Sequence, residues 1–232
     1  MKKAIYSLII TILTLSAAAQ QPYSERRDVG NFDKISFALA GEVQITIGTE
    51  FRVTLEGNRS YLDDVITEVQ NGSLRIRTEN RFFSGFNNEK ITVYITMPLV
   101  NGISVSGSGK VVMEDLLRSD NFRAQISGSG NIYLNEVQLG QVSCHISGSG
   151  SMNVAQGGSI TSLDLSISGS GDLNVPEVRI AAFSASISGS GRCECTVTNE
   201  LSAQISGSGR IYYSGNPKVD VRVSSSGRVV SR

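Results

Sequence analysis

From Ile103 onward, apolar side chains occupy every second position in short runs, and the runs recur. Ile103, Val105, Val111 and Met113 flank one polar tetrapeptide, SGSG; Ala124, Ile126, Ile132 and Leu134 flank the next; Cys144, Ile146, Met152 and Val154 flank a third. Alternation at period two is the signature of strands with one buried face. Each run therefore predicts a strand, a bend at SGSG and a second strand. The tetrapeptide opens at Ser106, Ser127, Ser147, Ser168, Ser188 and Ser206, with a degenerate SSSG at Ser224, and the spacings are 21, 20, 21, 20, 18 and 18 residues. A period near twenty residues belongs to a solenoid, whereas a flexible Ser/Gly linker would show no aligned columns.

The columns separate by chemistry. One residue before the opening serine stand Val105, Ile126, Ile146, Ile167, Ile187, Ile205 and Val223, all β-branched. The columns three residues before it and five after it are apolar throughout; the column seven after it is apolar except for Ser231 in the last copy. If this parity continues through the bend, both glycines of each SGSG face inward, where a side chain would collide with the core, and both serines face outward. Such short units cannot bury an apolar face alone. They must stack, each strand pairing with its equivalent one repeat away at roughly 4.8 Å, with about four side chains per coil contributing roughly 1.5–3 kcal/mol each. The predicted fold is all-β, a single-domain parallel β-helix with coils of 18–21 residues.

An eighth copy lies upstream. Ile35 to Ile45 (ISFALAGEVQI) aligns with Ile103 to Met113 (ISVSGSGKVVM), Ala38-Leu39-Ala40-Gly41 replacing SGSG. Between the two, Phe51–Leu55, Ser73–Arg77 and Ile91–Thr96 read as strands and Leu62–Val69 as a helical turn. The N-terminal third is thus expected to continue the solenoid less regularly. An aromatic run, Arg81 to Phe86, is expected to pack over that irregular end as a cap or to serve as a partner-binding loop.

The first nineteen residues read as an export signal: Lys2 and Lys3, an apolar run from Ala4 to Leu15, and the small residues Ala17 to Ala19. Residues 20–27 then form a short N-terminal segment and 28–232 the β-helix domain. The protein is expected to be exported, to the periplasm, the outer-membrane surface or the extracellular space. With 21 basic and 21 acidic side chains the formal net charge is zero, which gives no global field for nucleic acid.

The segments VGNFDKISF (Val29–Phe37), EVQITIG (Glu42–Gly48), NGSLRI (Asn71–Ile76) and the ISGSG ladder resemble the head GIN domain family of auto-transporter adhesins, over about Asp28 to Arg232. The resemblance implies a right-handed β-helix and an exported location.

Little in the sequence points to catalysis. Cys144, Cys193 and Cys195 fall in inward columns and read as buried small hydrophobes rather than a disulfide or a zinc site, which lacks a fourth ligand. His145, the only histidine, points outward. Asp164 and Asp220 share a column but stand three coils apart, roughly 14 Å, beyond the reach of paired glycosidase carboxylates. No cofactor or metal is implied.

Two surface features remain. Arg192, Arg210 and Arg228 share the column after SGSG and stack in succession as a candidate site for an anion or an anionic partner, or as a charged terminal edge; Asp172, one coil before Arg192, is expected to pair with it. The outward serines form two ladders, Ser106, Ser127, Ser147, Ser168, Ser188 and Ser206 beside Ser108, Ser129, Ser149, Ser170, Ser190 and Ser208. They serve either the tight corner alone or a hydroxylated strip for a ligand. The sequence thus points to a non-enzymatic, adhesin-like binding or scaffold domain whose partner is a glycan or an envelope protein. A carbohydrate-active enzyme and a self-assembling structural protein, with end-to-end homo-oligomers, are the alternatives.

Overall fold

The structure, a computed structural model, describes residues 23–78 and 90–232. The export signal expected at 1–19 and the aromatic run 81–86 lie outside the described residues. In chain order the strands are β1 (Tyr23–Arg27), β2 (Lys34–Phe37), β3 (Gly41–Ile47), β4 (Arg52–Gly57), β5 (Val65–Gln70), β6 (Ser73–Thr78), β7 (Ile91–Met97), β8 (Gly102–Gly107), β9 (Lys110–Gly128), β10 (Asn131–Gly148), β11 (Ser151–Gly169), β12 (Asp172–Gly189), β13 (Arg192–Gly207), β14 (Arg210–Ser214), β15 (Lys218–Ser224) and β16 (Arg228–Ser231). The one helix among the described residues is α1 (Arg59–Leu62).

The predicted solenoid is present, with about six turns. Strands β9 to β13 stack in parallel, each coil in register with the next along most of its length. The column of β-branched residues lines the interior: Val105, Ile126, Ile146, Ile167, Ile187 and Ile205 are each at most 1% exposed. Differences in repeat length are absorbed away from SGSG. Register shifts fall between Leu134 and Glu136, between Asn153 and Gly158 and between Val175 and Arg179, while the serine–glycine corners stay aligned throughout. The variation in coil length thus sits at the far bend.

The upstream copy occupies its expected place. Ile35 pairs with Ile103 and Phe37 with Val105, then Val43 with Val111 and Ile45 with Met113, all in parallel. Beyond it the stacking changes direction: β4 runs antiparallel to β7 and β1 to β4, while β5 runs antiparallel to β6. These antiparallel strands terminate the parallel stack at that end, which is how a solenoid closes off its core.

The helical turn expected over Leu62–Val69 is corrected. The helix is confined to Arg59–Leu62, with Asn58 Oδ1 accepting the Ser60 N–H at 3.0 Å, and 65–70 is strand. Val65, Ile66 and Thr67 are β-branched, which favours a pleated strand. Asn71 and Gly72 adopt positive φ of 51° and 73°, the tight hairpin turn that folds β5 onto β6.

Candidate functional site

The corner is built from four residues whose roles differ. The first glycine of each SGSG does not face the core, contrary to the inward position expected for both. Its φ is positive, +110° at Gly128 and +120° at Gly148 and Gly169, and its backbone stacks on the same glycine one coil earlier. Alternation breaks at this point because the chain turns there. A Cβ on Gly148 would stand 2.3 Å from the Gly128 carbonyl oxygen. The second glycine is buried as expected, its space filled by the apolar side chain of the preceding coil: Phe37 at Gly109, Val105 at Gly130 and isoleucine in the four later copies.

The backbone of the corner satisfies itself. From the second copy on, the second serine donates its N–H to the carbonyl of the first glycine one coil earlier, as Ser170 does to Gly148 and Ser190 to Gly169, both at 2.8 Å. The residue after SGSG donates in the same way to the second glycine, Arg192 to Gly171 at 3.1 Å. All twelve ladder serines are exposed, and no ladder hydroxyl makes a hydrogen bond within the chain among the described residues. Ser106, Ser127, Ser147, Ser168, Ser188 and Ser206 are direct neighbours in the parallel register, so their hydroxyls repeat at the strand spacing of roughly 4.8 Å.

The field of hydroxyls is wider than the sequence reading drew it. Ser184, Ser186 and Ser202 lie exposed on the sheet that leads into the corner, in register with one another or with Ser166 and Gln204. They stand outside the tetrapeptide, so the SGSG spacing does not point to them.

Arg192, Arg210 and Arg228 form the expected column, paired in succession and exposed. None makes an ion pair within 4.0 Å among the described residues. Asp172 sits opposite Arg192 in register, yet the expected ion pair is not formed. At exposed positions such a pair contributes little, and both side chains extend into solvent instead. Beside the column, Arg232 pairs with Glu194 and lies over the Tyr212 ring at 4.4 Å.

Sequence reasoning also missed a polar groove at the start of the same sheet. Two adjoining depressions, of about 500 and 490 Å³, share Asn101 and Asn121. Asn101 is fixed from two sides: its amide donates to Asp33 at 2.9 Å and its oxygen accepts from the buried Ser119 hydroxyl at 2.7 Å. Arg118, Gln138, Arg123 and Asp164 complete the walls.

All three cysteines are free and buried. Burial pushes the Cys144 thiol up to about 12. A hydrogen bond with Cys195, together with burial, raises Cys193 well above the usual range. Both are protonated, inert core groups at neutral pH. Among the described residues no cluster of three or more His, Cys, Asp or Glu side chains could hold a metal ion.

A family model described as "Putative auto-transporter adhesin, head GIN domain" matches residues 31–217. The chain belongs to the head GIN domain family. Solved structures share its architecture. A "putative adhesin" from Bacteroides fragilis NCTC 9343 is 25% identical with a TM-score of 0.76, over 92% of this chain and 97% of that one. A "putative lipid binding protein" from Parabacteroides distasonis ATCC 8503 is 21% identical with a TM-score of 0.73, over 92% and 98%. A "putative adhesin" from Parabacteroides merdae ATCC 43184 is 19% identical with a TM-score of 0.70, over 92% and 97%. No curated protein matches the chain. Within this head GIN domain the serine corner, the arginine column and the groove all lie on the outside, because in the coils before the last the interior columns are filled by side chains at most a few per cent exposed.

Proposed function

We propose that this head GIN domain is an exported, non-catalytic, adhesin-like binding module of the bacterial envelope that takes a hydroxyl-rich ligand, a glycan, along its serine corner. The carrying observation is that the corner's backbone is closed by coil-to-coil hydrogen bonds while its twelve ladder hydroxyls are left free to face solvent. Each hydroxyl is both donor and acceptor. A row of them on a rigid edge therefore matches a polymer of hydroxyls at little cost in side-chain order. Family membership supports the adhesin-like role and the exported location. The filled interior leaves ligand contact to the surface.

A glycan array with the purified chain tests the reading. Binding without shortening of the glycan, lost when Ser168, Ser188 and Ser206 are together replaced by alanine with the circular dichroism unchanged, is the expected result. Release of shortened glycan would favour the enzyme reading, and binding indifferent to the triple alanine variant would move the site to the groove at Asn101.

A further inference from the structure

The end of the solenoid opposite the antiparallel strands is open along β15. Among the described residues that strand pairs with β13 alone, so its other edge presents free N–H and C=O groups. Its inward residues are not covered. Leu201, Ala203 and Ile205, one coil earlier, are 1%, 4% and 0% exposed, whereas Val219 and Val223, their register partners at the two ends of β15, are 43% and 41% exposed. Val221 lies between them, half-buried against the core.

The sequence of β15, Lys218-Val219-Asp220-Val221-Arg222-Val223-Ser224, is complementary to itself when reversed. A two-fold axis normal to the sheet, midway between the Val221 residues of two copies, sets Val221 opposite Val221 and Val219 opposite Val223. On the outer face the same operation sets Asp220 opposite Arg222, twice. Opposite charges facing across antiparallel strands stabilise the pair and like charges oppose it. Any parallel in-register copy, by contrast, would set Arg222 against Arg222 and Asp220 against Asp220. Charged residues on an edge ordinarily repel foreign strands. Here their alternation admits one arrangement.

We infer that β15 is a dimerisation edge at which two copies of this chain join antiparallel about a two-fold axis between their Val221 residues. The pairing completes the hydrogen bonding of both edges and sets each exposed valine beside an exposed valine of the second copy, Val219 beside Val223, which is the isologous contact commonest among homo-oligomers. The two serine corners then stand at opposite ends of one continuous sheet, so that a surface-bound ligand is engaged twice and avidity exceeds the affinity of either corner. The inference is independent of the ligand assigned to the corner.

The test is a charge exchange read by sedimentation velocity over a wide concentration range. The unmodified chain is expected to dimerise. Asp220→Arg sets two arginines opposite each other and Arg222→Asp two aspartates, so each single variant is expected to weaken dimerisation by roughly tenfold or more. The double variant restores opposite charges and is expected to return to within roughly threefold of the original. Both positions are exposed, and circular dichroism verifies that the solenoid is intact in each variant. A monomer at every concentration overturns the inference. So does an open-ended series of larger oligomers, a dimer indifferent to the single exchanges, or a double variant weaker than either single one.

Discussion

Gly171 lies directly over the side chain of Ile146 in the preceding coil, and a Cβ on that glycine would stand 2.3 Å from the isoleucine Cγ2. The contact recurs between Gly150 and Ile126 and between Gly191 and Ile167, at 2.5 and 2.6 Å. The β-branched column and the second glycine of SGSG are therefore one device. The branch of isoleucine fills the space that glycine vacates one coil later.

Replacing Gly171 by alanine is accordingly expected to destabilise the chain by about 3 kcal/mol, the upper range for overpacking a close-packed interior. Gly107 is the control. Its φ is +105°, but a Cβ there meets nothing within 4 Å, so Gly107→Ala carries only backbone strain, about 1–2 kcal/mol. Urea titrations of the two variants test the ordering. A loss at Gly171 no larger than that at Gly107 would mean that the isoleucine contact does not fix the second glycine, which has no positive φ of its own.

The solenoid was legible because its register is written in the sequence. Ile35 to Ile45 could be placed on Ile103 to Met113 letter by letter, and the ladder places them as neighbours. Parity failed only where the chain turns, at Gly107 and its equivalents, since alternation holds along a strand and not through a positive φ. The stretch from Leu62 to Val69 was misread because its apolar spacing suits a short helical turn as well as a strand, and the Asn71-Gly72 turn that settles the choice lies just beyond it. The groove was invisible for a different reason: Lys34, Asn101 and Asn121 come from separate elements and share no column.

The serine ladders make a prediction that separates structure from binding. The Ser188 and Ser190 hydroxyls make no bond among the described residues, so alanine at both positions is expected to shift stability by no more than about 0.5 kcal/mol while removing two contacts from the proposed ligand-facing corner. Thermal unfolding and glycan binding on the same variant decide the matter. A large loss of stability would return the serines to a purely structural role.

Arg210 is flanked in register by Arg192 and Arg228, with no carboxylate of the described residues paired to any of the three. Like charges at this spacing repel, and the repulsion is screened by salt. Arg210→Glu is therefore expected to raise the urea midpoint at low ionic strength and to leave it unchanged in concentrated salt. If the column is an anion site, the same variant weakens retention on a sulfated polysaccharide matrix by at least tenfold in affinity, relative to the unmodified chain. Unchanged retention at low salt would leave the column as a charged edge only.

The buried thiols predict how stability responds to alkali. Cys144 is pushed up to about 12 from an ordinary value of 9.0 by burial, and Cys193 is raised well above it, first by its bond with Cys195 and then by burial. A raised folded pKa means that the unfolded chain releases the proton first as pH rises. The stabilisation is thus complete below about pH 9 and is lost between there and about pH 12, at a limiting slope of roughly 1.4 kcal/mol per pH unit for each thiol. Cys144→Ala, between Ala124 and Leu165 in its column, removes one of the titrating groups and is expected to flatten the slope above pH 9 while lowering stability modestly at neutral pH. Urea midpoints for both proteins between pH 7 and about pH 10.5 provide the comparison; identical slopes would show that the Cys144 proton is not what couples alkali to unfolding.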